Sequence, residues 1–128
     1  MAMNQTIPGN FTVNGIIAVN GSDYAEKFES AEDCPEGRFV TLDGEKIRLA
    51  QPGDDYILGV TSVKPAIIGD KDLDGVDIGL LGKLWVEHDG SAVVNGYVKS
   101  GDNGIATMAK IGYRVMAVNG NKCRVLVK

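Results

Sequence analysis

Ser22-Asp23-Tyr24-Ala25-Glu26-Lys27-Phe28-Glu29 stands where the texture of this chain changes. Upstream, Val13-Asn14-Gly15 and Val19-Asn20-Gly21 recur six residues apart in a β-like, Asn-Gly-punctuated leader. Downstream, an acidic segment places Tyr24 and Phe28 four residues apart, the spacing of one helical face, and this predicts a short helix over residues 23–32. Asp23 would then sit at the N-cap and Glu26 at N3. In that capping-box variant each carboxylate accepts from an orphan backbone amide and both charges favour the positive end of the helix dipole. The same two carboxylates, one turn apart beside a Ser-Asp peptide bond, could equally cut the chain. On the residues alone the cap is the ordinary explanation.

Working outward, the leader admits two readings. A hairpin turning at Asn14-Gly15 is one, because Asn-Gly supplies the positive φ of a two-residue turn. The other is the end of a stem of short strands. A hexad with one turn per unit cannot bury its apolar side chains alone in a chain of this length, so neighbours would have to supply the cover.

The 128 residues, 44% of them hydrophobic, suffice for one domain with its own core and are too few for two domains and a linker. A net charge of −4 argues against nucleic acid or an anionic membrane as partner, since both require clustered Lys and Arg. No run approaches the roughly 20 apolar residues that span a bilayer. The N-terminus shows no charged region followed by an apolar one, so no secretion address is expected. Cys34 and Cys123 fit no metal spacing and are expected as free thiols, with a bridge as the alternative.

Seventeen glycines, many in Asn-Gly or Asp-Gly pairs, make turns frequent and strands short. The fold class expected is therefore mainly β, a β-rich α+β arrangement of short strands and hairpins with one short N-terminal helix. Phe39-Val40-Thr41-Leu42 and Lys46-Ile47-Arg48-Leu49 flank Asp43-Gly44 as a hairpin. Residues 56–63 form a near-continuous apolar run of strand length that Pro65 stops. Residues 80–87, centred on Trp85, should pair with Ala92-Val93-Val94 around Asp89-Gly90. Residues 112–118 and 123–127 answer each other across Asn119-Gly120-Asn121 as a closing hairpin. Residues 105–110 are a second, weaker helix candidate.

Several of these stretches together resemble a known family. They are residues 22–29, 39–47, Asp55-Tyr56-Ile57-Leu58-Gly59-Val60, Asp102-Asn103-Gly104-Ile105-Ala106-Thr107 and Gly112-Tyr113-Arg114-Val115-Met116. They resemble, in order, the intramolecular chaperone auto-processing domain of glutamic-peptidase type found at the C-terminus of phage neck appendage and tail spike proteins. The resemblance implies a homotrimer that guides folding of the trimeric β-helical stem of its own chain and then cuts itself off, in the bacterial host cytoplasm during virion assembly. On that reading residues 1–22 are the end of the stem and residues 23–128 the chaperone. The rival is a trimeric tip module that stays attached and binds a host glycan or receptor, with Asp23 and Glu26 serving only as a helix cap.

Atom counting shows why the bond between Ser22 and Asp23 suits self-cleavage. The Asp23 carboxylate reaches the Ser22 carbonyl through a six-membered ring, whereas the Ser22 hydroxyl would need a four-membered one. Glu26 is then the expected general base on water and Asp23 its partner or a direct nucleophile. Two close carboxylates suit this because one can hold a proton while the other stays ionised. No cofactor and no metal are expected. The loop Gly69-Asp70-Lys71-Asp72-Leu73-Asp74-Gly75-Val76-Asp77 opens like a calcium loop, but its twelfth position is Leu81 where bidentate Glu belongs. His88 stands alone and reads as a surface residue at a strand end. Arg114 and Lys110 could pair with Glu26 or stabilise an oxyanion, though a surface or interface salt bridge is the plainer account. Trp85 and Tyr113 read as core or subunit contacts.

Overall fold

A computed structural model describes residues 6–62 and 64–128. Among the described residues, ten strands and one 3₁₀ turn follow the leader: β1 Asp23–Phe28, β2 Phe39–Asp43, β3 Lys46–Leu49, β4 Gly59–Thr61, β5 Ile67–Gly69, β6 Val76–Glu87, β7 Tyr97–Ser100, the turn Asp102–Gly104, β8 Ala106–Ala109, β9 Tyr113–Asn119 and β10 Lys122–Val127. The protein is mainly β, as the turn density requires.

The 12-residue strand β6 organises the rest. Its first half pairs antiparallel with β1 and, at Ile78 and Gly79, with β4, while its second half pairs with β10. The strand path runs β3-β2-β4-β6-β10-β9-β7-β8, with β1 attached beside β6 and β5 beside β1. Among the described strands only β1 and β5 pair in parallel. All other ladders are antiparallel.

Two apolar clusters fill the curled sheet. In β10, Cys123, Val125 and Val127 point inward while the residues between them do not, the period-2 pattern of a strand covered on one face. They meet Phe39, Val60, Leu84, Val86, Val98 and Val115, and the Phe39 ring stacks on Tyr113 at 5.4 Å between centroids. Val40, Ile47, Leu49 and Ile78 form the second cluster. Adjacent residues of β2, Phe39 and Val40, therefore serve opposite faces, so both faces of this strand are buried.

Both hairpins expected from the turn residues form. Asp43 pairs with Lys46 across Gly44, whose φ of 64° suits the first position of a two-residue turn. Asn119 pairs with Lys122 across Gly120-Asn121, and a bulge between Arg124 and Val125 leaves Met116 unopposed on β9.

Four expectations are corrected. Residues 23–28 are strand β1, not helix: Tyr24 and Phe28 fit period 2 as well as period 3.6, and a slot between β5 and β6 offers backbone partners on both edges. Burial of the small Ala25 and the register pairing of Lys27 with Asp77, an ion pair at 2.9 Å, then fix its position. Residues 106–109 are strand β8, paired with β7. Of the run 56–63, residues 56–62 contribute only Gly59–Thr61 as strand, with Tyr56 half exposed, and Val63 lies outside the described residues. Ala92-Val93-Val94 does not pair with β6, because β10 occupies that edge. In the leader, residues 6–21 are exposed and form neither a strand nor the hairpin at Asn14-Gly15.

Both cysteines are free, and burial pushes the Cys123 thiol up to about 11. Cys34 is half-buried beside Ser30 and also raised, chiefly by desolvation. In native protein an aromatic disulfide reagent should therefore titrate one thiol slowly, with Cys123 reacting only after denaturant is added; two fast thiols in native protein would contradict this packing. At the rim, Arg48 grips Asp54 through two nitrogens at 2.9 and 3.1 Å, and Gln51 N–H donates to the same carboxylate. The Arg48 bonds first, then the Gln51 amide, hold the Asp54 carboxyl below its ordinary range. A depressed carboxylate stabilises the fold above the unfolded value near 3.9 and loses that contribution as pH falls through the folded value. Asp54→Asn should lower Tm at pH 7, with the gap to wild type closing toward about pH 2; a gap of constant size across that range would contradict the assignment.

Candidate active site

The bond between Ser22 and Asp23 lies where the leader joins β1, and each of its sides is held. Ser22 carbonyl oxygen accepts from the backbone N–H of Lys83 at 3.1 Å, and Asp23 carbonyl oxygen accepts from the N–H of Ala66 at 3.0 Å. Asp23 pairs with Gly82 in the middle of β6, beside a bulge in which Leu80 goes unopposed. Ser22 Oγ donates to Lys83 carbonyl oxygen at 3.3 Å and accepts from Arg124 Nη2 at 3.2 Å. Ser62 Oγ donates to Asp23 Oδ2 at 2.9 Å.

A cavity of about 240 Å³ opens beside this bond. Lys64, Lys83, Lys122 and Arg124 line it together with only two acids, Asp23 and Glu36, and Lys122 lies 3.5 Å from Glu36. The surroundings of the bond are thus cationic, which favours negative charge that develops there.

Glu26 lies elsewhere. Alternation along β1 puts Asp23 and Glu26 on opposite faces, and three residues of strand carry them roughly 10 Å apart along the chain. Tyr24 shares the Glu26 face and its hydroxyl donates to Glu26 Oε1 at 2.7 Å. That hydrogen bond, then desolvation, raises the Tyr24 phenol above its ordinary value. Glu26 borders a separate groove with Glu29, Glu45 and Asp70. The shared helical face expected from the sequence is therefore not formed: strand geometry replaces it, and within one subunit the two carboxylates do not meet.

The remaining sequence candidates fall away from the bond. Arg114 stacks over Tyr97 at 5.0 Å, beside a different groove, and Lys110 is exposed. His88 sits at the end of β6 but is 7% exposed, not a surface residue. Its Nδ1 accepts from Gly90 N–H at 3.1 Å, which leaves Nε2 to donate to the Gly120 carbonyl at 2.9 Å. Both nitrogens are thereby committed to loop backbone. Asp70 has φ 56° and its carbonyl closes a turn to Leu73 N–H. Among the described residues no three His, Cys, Asp or Glu side chains are grouped to hold a metal ion. Sequence reasoning missed Ser62, Gly82, Lys83 and Arg124. The unusual local pattern Leu80-Leu81-Gly82-Lys83, a glycine inside an apolar strand, was the one available sign of a bulge or a close backbone approach.

Comparison with known proteins adds to this geometry. Residues 2–76 match the family model described as Peptidase_G2, IMC autoproteolytic cleavage domain. A search of curated proteins finds no match. The fold is similar to the crystal structure of pre-mature bacteriophage phi29 gene product 12, with a TM-score of 0.80 and 20% identity over 94% of this chain and 24% of that one. It is also similar to the C-terminal fragment of bacteriophage phi29 gene product 12, with a TM-score of 0.70 and 21% identity over 83% of this chain and 100% of the fragment. The chain thus spans about a quarter of the pre-mature phage protein. The matched family segment contains Ser22, Asp23 and Glu26, whereas Lys83 and Arg124 lie beyond it. With more than half of its length matched, the chain belongs to the Peptidase_G2 family of autoproteolytic intramolecular chaperone domains.

Proposed function

We propose that this domain is a trimeric chaperone for the β-helical stem of its own chain in a phage appendage or tail spike, and that it releases itself by one cut between Ser22 and Asp23. The released piece is residues 23–128, and residues 1–22 are the end of the stem. The observation that carries this reading is the change of state beside that bond: residues 6–21 join no ladder, the Ser22 carbonyl enters one through the Lys83 amide, and Tyr24 to Glu26 are held on both edges by β5 and β6. Exposed apolar residues in the leader, Phe11 at 66%, Ile16 at 91% and Ile17 at 66%, support a stem that neighbouring copies cover.

In the cut, a lone pair of the Asp23 carboxylate, or of a water, enters the Ser22 carbonyl carbon and the π pair moves onto oxygen. Collapse of that intermediate expels the Asp23 nitrogen, which takes a proton as it leaves. Direct attack by Asp23 gives an anhydride that one water hydrolyses, restoring both carboxyls. Glu26 removes the proton from the attacking water and returns it to the leaving amine. General acid-base help of this kind gives roughly 10²–10⁴-fold. Fixed geometry supplies the remainder, with effective molarities of roughly 10⁵–10⁸ M. Because strand β1 carries Glu26 away from its own Asp23, the Glu26 that acts is supplied by a neighbouring subunit. Cleavage then waits for assembly and reports it. The reaction is single-turnover, with no external substrate.

Intact-mass measurement tests this. Wild type should convert from 13.6 kDa into two fragments, and Glu26→Gln should stay whole while sedimenting as a trimer. Mixed trimers of Glu26→Gln with an uncleavable Asp23→Ala chain should cut the Glu26→Gln chain, which borrows the carboxylate it lacks. Scission of Glu26→Gln homotrimers at the wild-type rate would sink the role of Glu26. Mixed trimers that stay whole would sink its action between subunits.

A further inference from the structure

We propose that the peptide unit at Gly82-Lys83 is the oxyanion site of this cut and that Arg124, held against Trp85, is a positioning residue that grips the Ser22 hydroxyl. The inference rests on Ser22–Asp23 being the bond that breaks and assigns the groups that polarise it. A hydrogen bond from Lys83 N–H to the Ser22 carbonyl is, taken alone, what any antiparallel ladder provides. Three further observations distinguish it.

First, Gly82 has φ 118°, a backbone region that L side chains rarely adopt, and a Cβ there would lie 2.0 Å from Ser22 carbonyl oxygen. The absence of a side chain at this position is what lets β6 approach the carbonyl. Second, Ser22 is gripped twice from the same side: its carbonyl by the Lys83 amide, its hydroxyl by the Lys83 carbonyl and by Arg124 Nη2. With both ends of the residue held, the carbonyl plane has little freedom to turn away from its donor. Third, Arg124 is itself held. It pairs with Trp85 across β10 and β6, and its guanidinium lies 5.8 Å from the centroid of the indole ring, within reach of a cation–π contact.

Arg124 also retains an unused donor. Its Nε–H is buried and has no hydrogen-bond partner among the described residues. A buried donor left unpaired is costly in the resting state and becomes favourable once negative charge appears nearby. The cut produces such charge. As the nucleophile enters, the carbonyl π pair localises on the Ser22 oxygen, and it returns to re-form the carbonyl when the C–N bond breaks and the amine takes its proton. The Lys83 amide donates to that oxygen throughout, and the surrounding lysines and Arg124 add a positive field. Fixed donors of this type are worth roughly 10²–10³-fold in rate when one is removed.

The experiment follows scission of the full chain by intact mass in folded trimers, with the cut site mapped and assembly checked by sedimentation. Replacing the Gly82-Lys83 amide by an ester through semisynthesis removes the N–H donor while leaving every side chain in place and should slow the cut roughly 10²-fold. Arg124→Met and Ser22→Ala should each slow it about tenfold or more, with Arg124→Lys recovering part of the loss, since removal of a hydrogen bond to a charged group has effects of that order. The double variant should be slowed by less than the product of the two singles, because both delete the Ser22–Arg124 contact. Should Arg124→Met fail to assemble, Ser22→Ala and the ester keep the proposal open to refutation. Singles that multiply in the double variant, or an ester chain that cuts at the wild-type rate, overturn the clamp. Wild type that cuts at another bond overturns the scissile assignment instead, and the clamp with it.

Discussion

Seating strand β1 between β5 and β6 is the constraint on which the rest of this structure depends. Backbone N–H and C=O groups withdrawn from water must find partners, and β1 finds them on both edges. That requirement outweighs the helical spacing of Tyr24 and Phe28. It also sets where order begins. Gly21 is the last residue of the exposed leader, and the half-buried Ser22 takes part in the ladder through its carbonyl and the Lys83 amide. A chain held from Ser22 onward, and exposed over residues 6–21, concentrates geometric control of the backbone where the leader meets β1. Breaking the bond between Ser22 and Asp23 would leave β1 and both apolar clusters as they are.

On the proposed function, the same strand keeps the two carboxylates apart until the domain assembles. On a helix, Asp23 and Glu26 would be neighbours from the moment the chain folded. On β1 they face opposite ways, Asp23 toward a cationic cavity with Ser62, Glu26 toward Tyr24 and an acidic groove. On the proposed reading, dividing the machinery between faces makes the reaction conditional on a second copy. The bonds at Ser22 belong to one subunit, so on that reading the substrate is prepared in each chain while the proton carrier arrives from outside it.

The parts of the fold legible in the sequence are those with local causes. Asp43-Gly44 and Asn119-Gly120-Asn121 mark hairpins because positive φ at glycine is a property of the turn itself. Alternation in residues 123–127 marks a strand covered on one face. The failures share a different cause. Residues 23–28 and 106–109 are strands because neighbours distant in sequence accept them, and the window of the sequence holds no trace of those neighbours. The site divides in the same way. Ser22 and Asp23 announce themselves by ring size and by resemblance, but Lys83 and Arg124 lie 61 and 102 residues from Ser22 and enter only through the topology of β6 and β10. Arg114, the arginine that the sequence offered for the same task, stacks on Tyr97 instead.

The central claim, that assembly breaks the backbone between Ser22 and Asp23, is tested most directly by N-terminal sequencing of the C-terminal fragment recovered from folded wild-type protein. The account predicts a fragment that begins Asp-Tyr-Ala-Glu, with Ser22 as the last residue of the other piece. A fragment that begins at any other residue, or a folded and assembled chain from which no fragment is ever released, would contradict it.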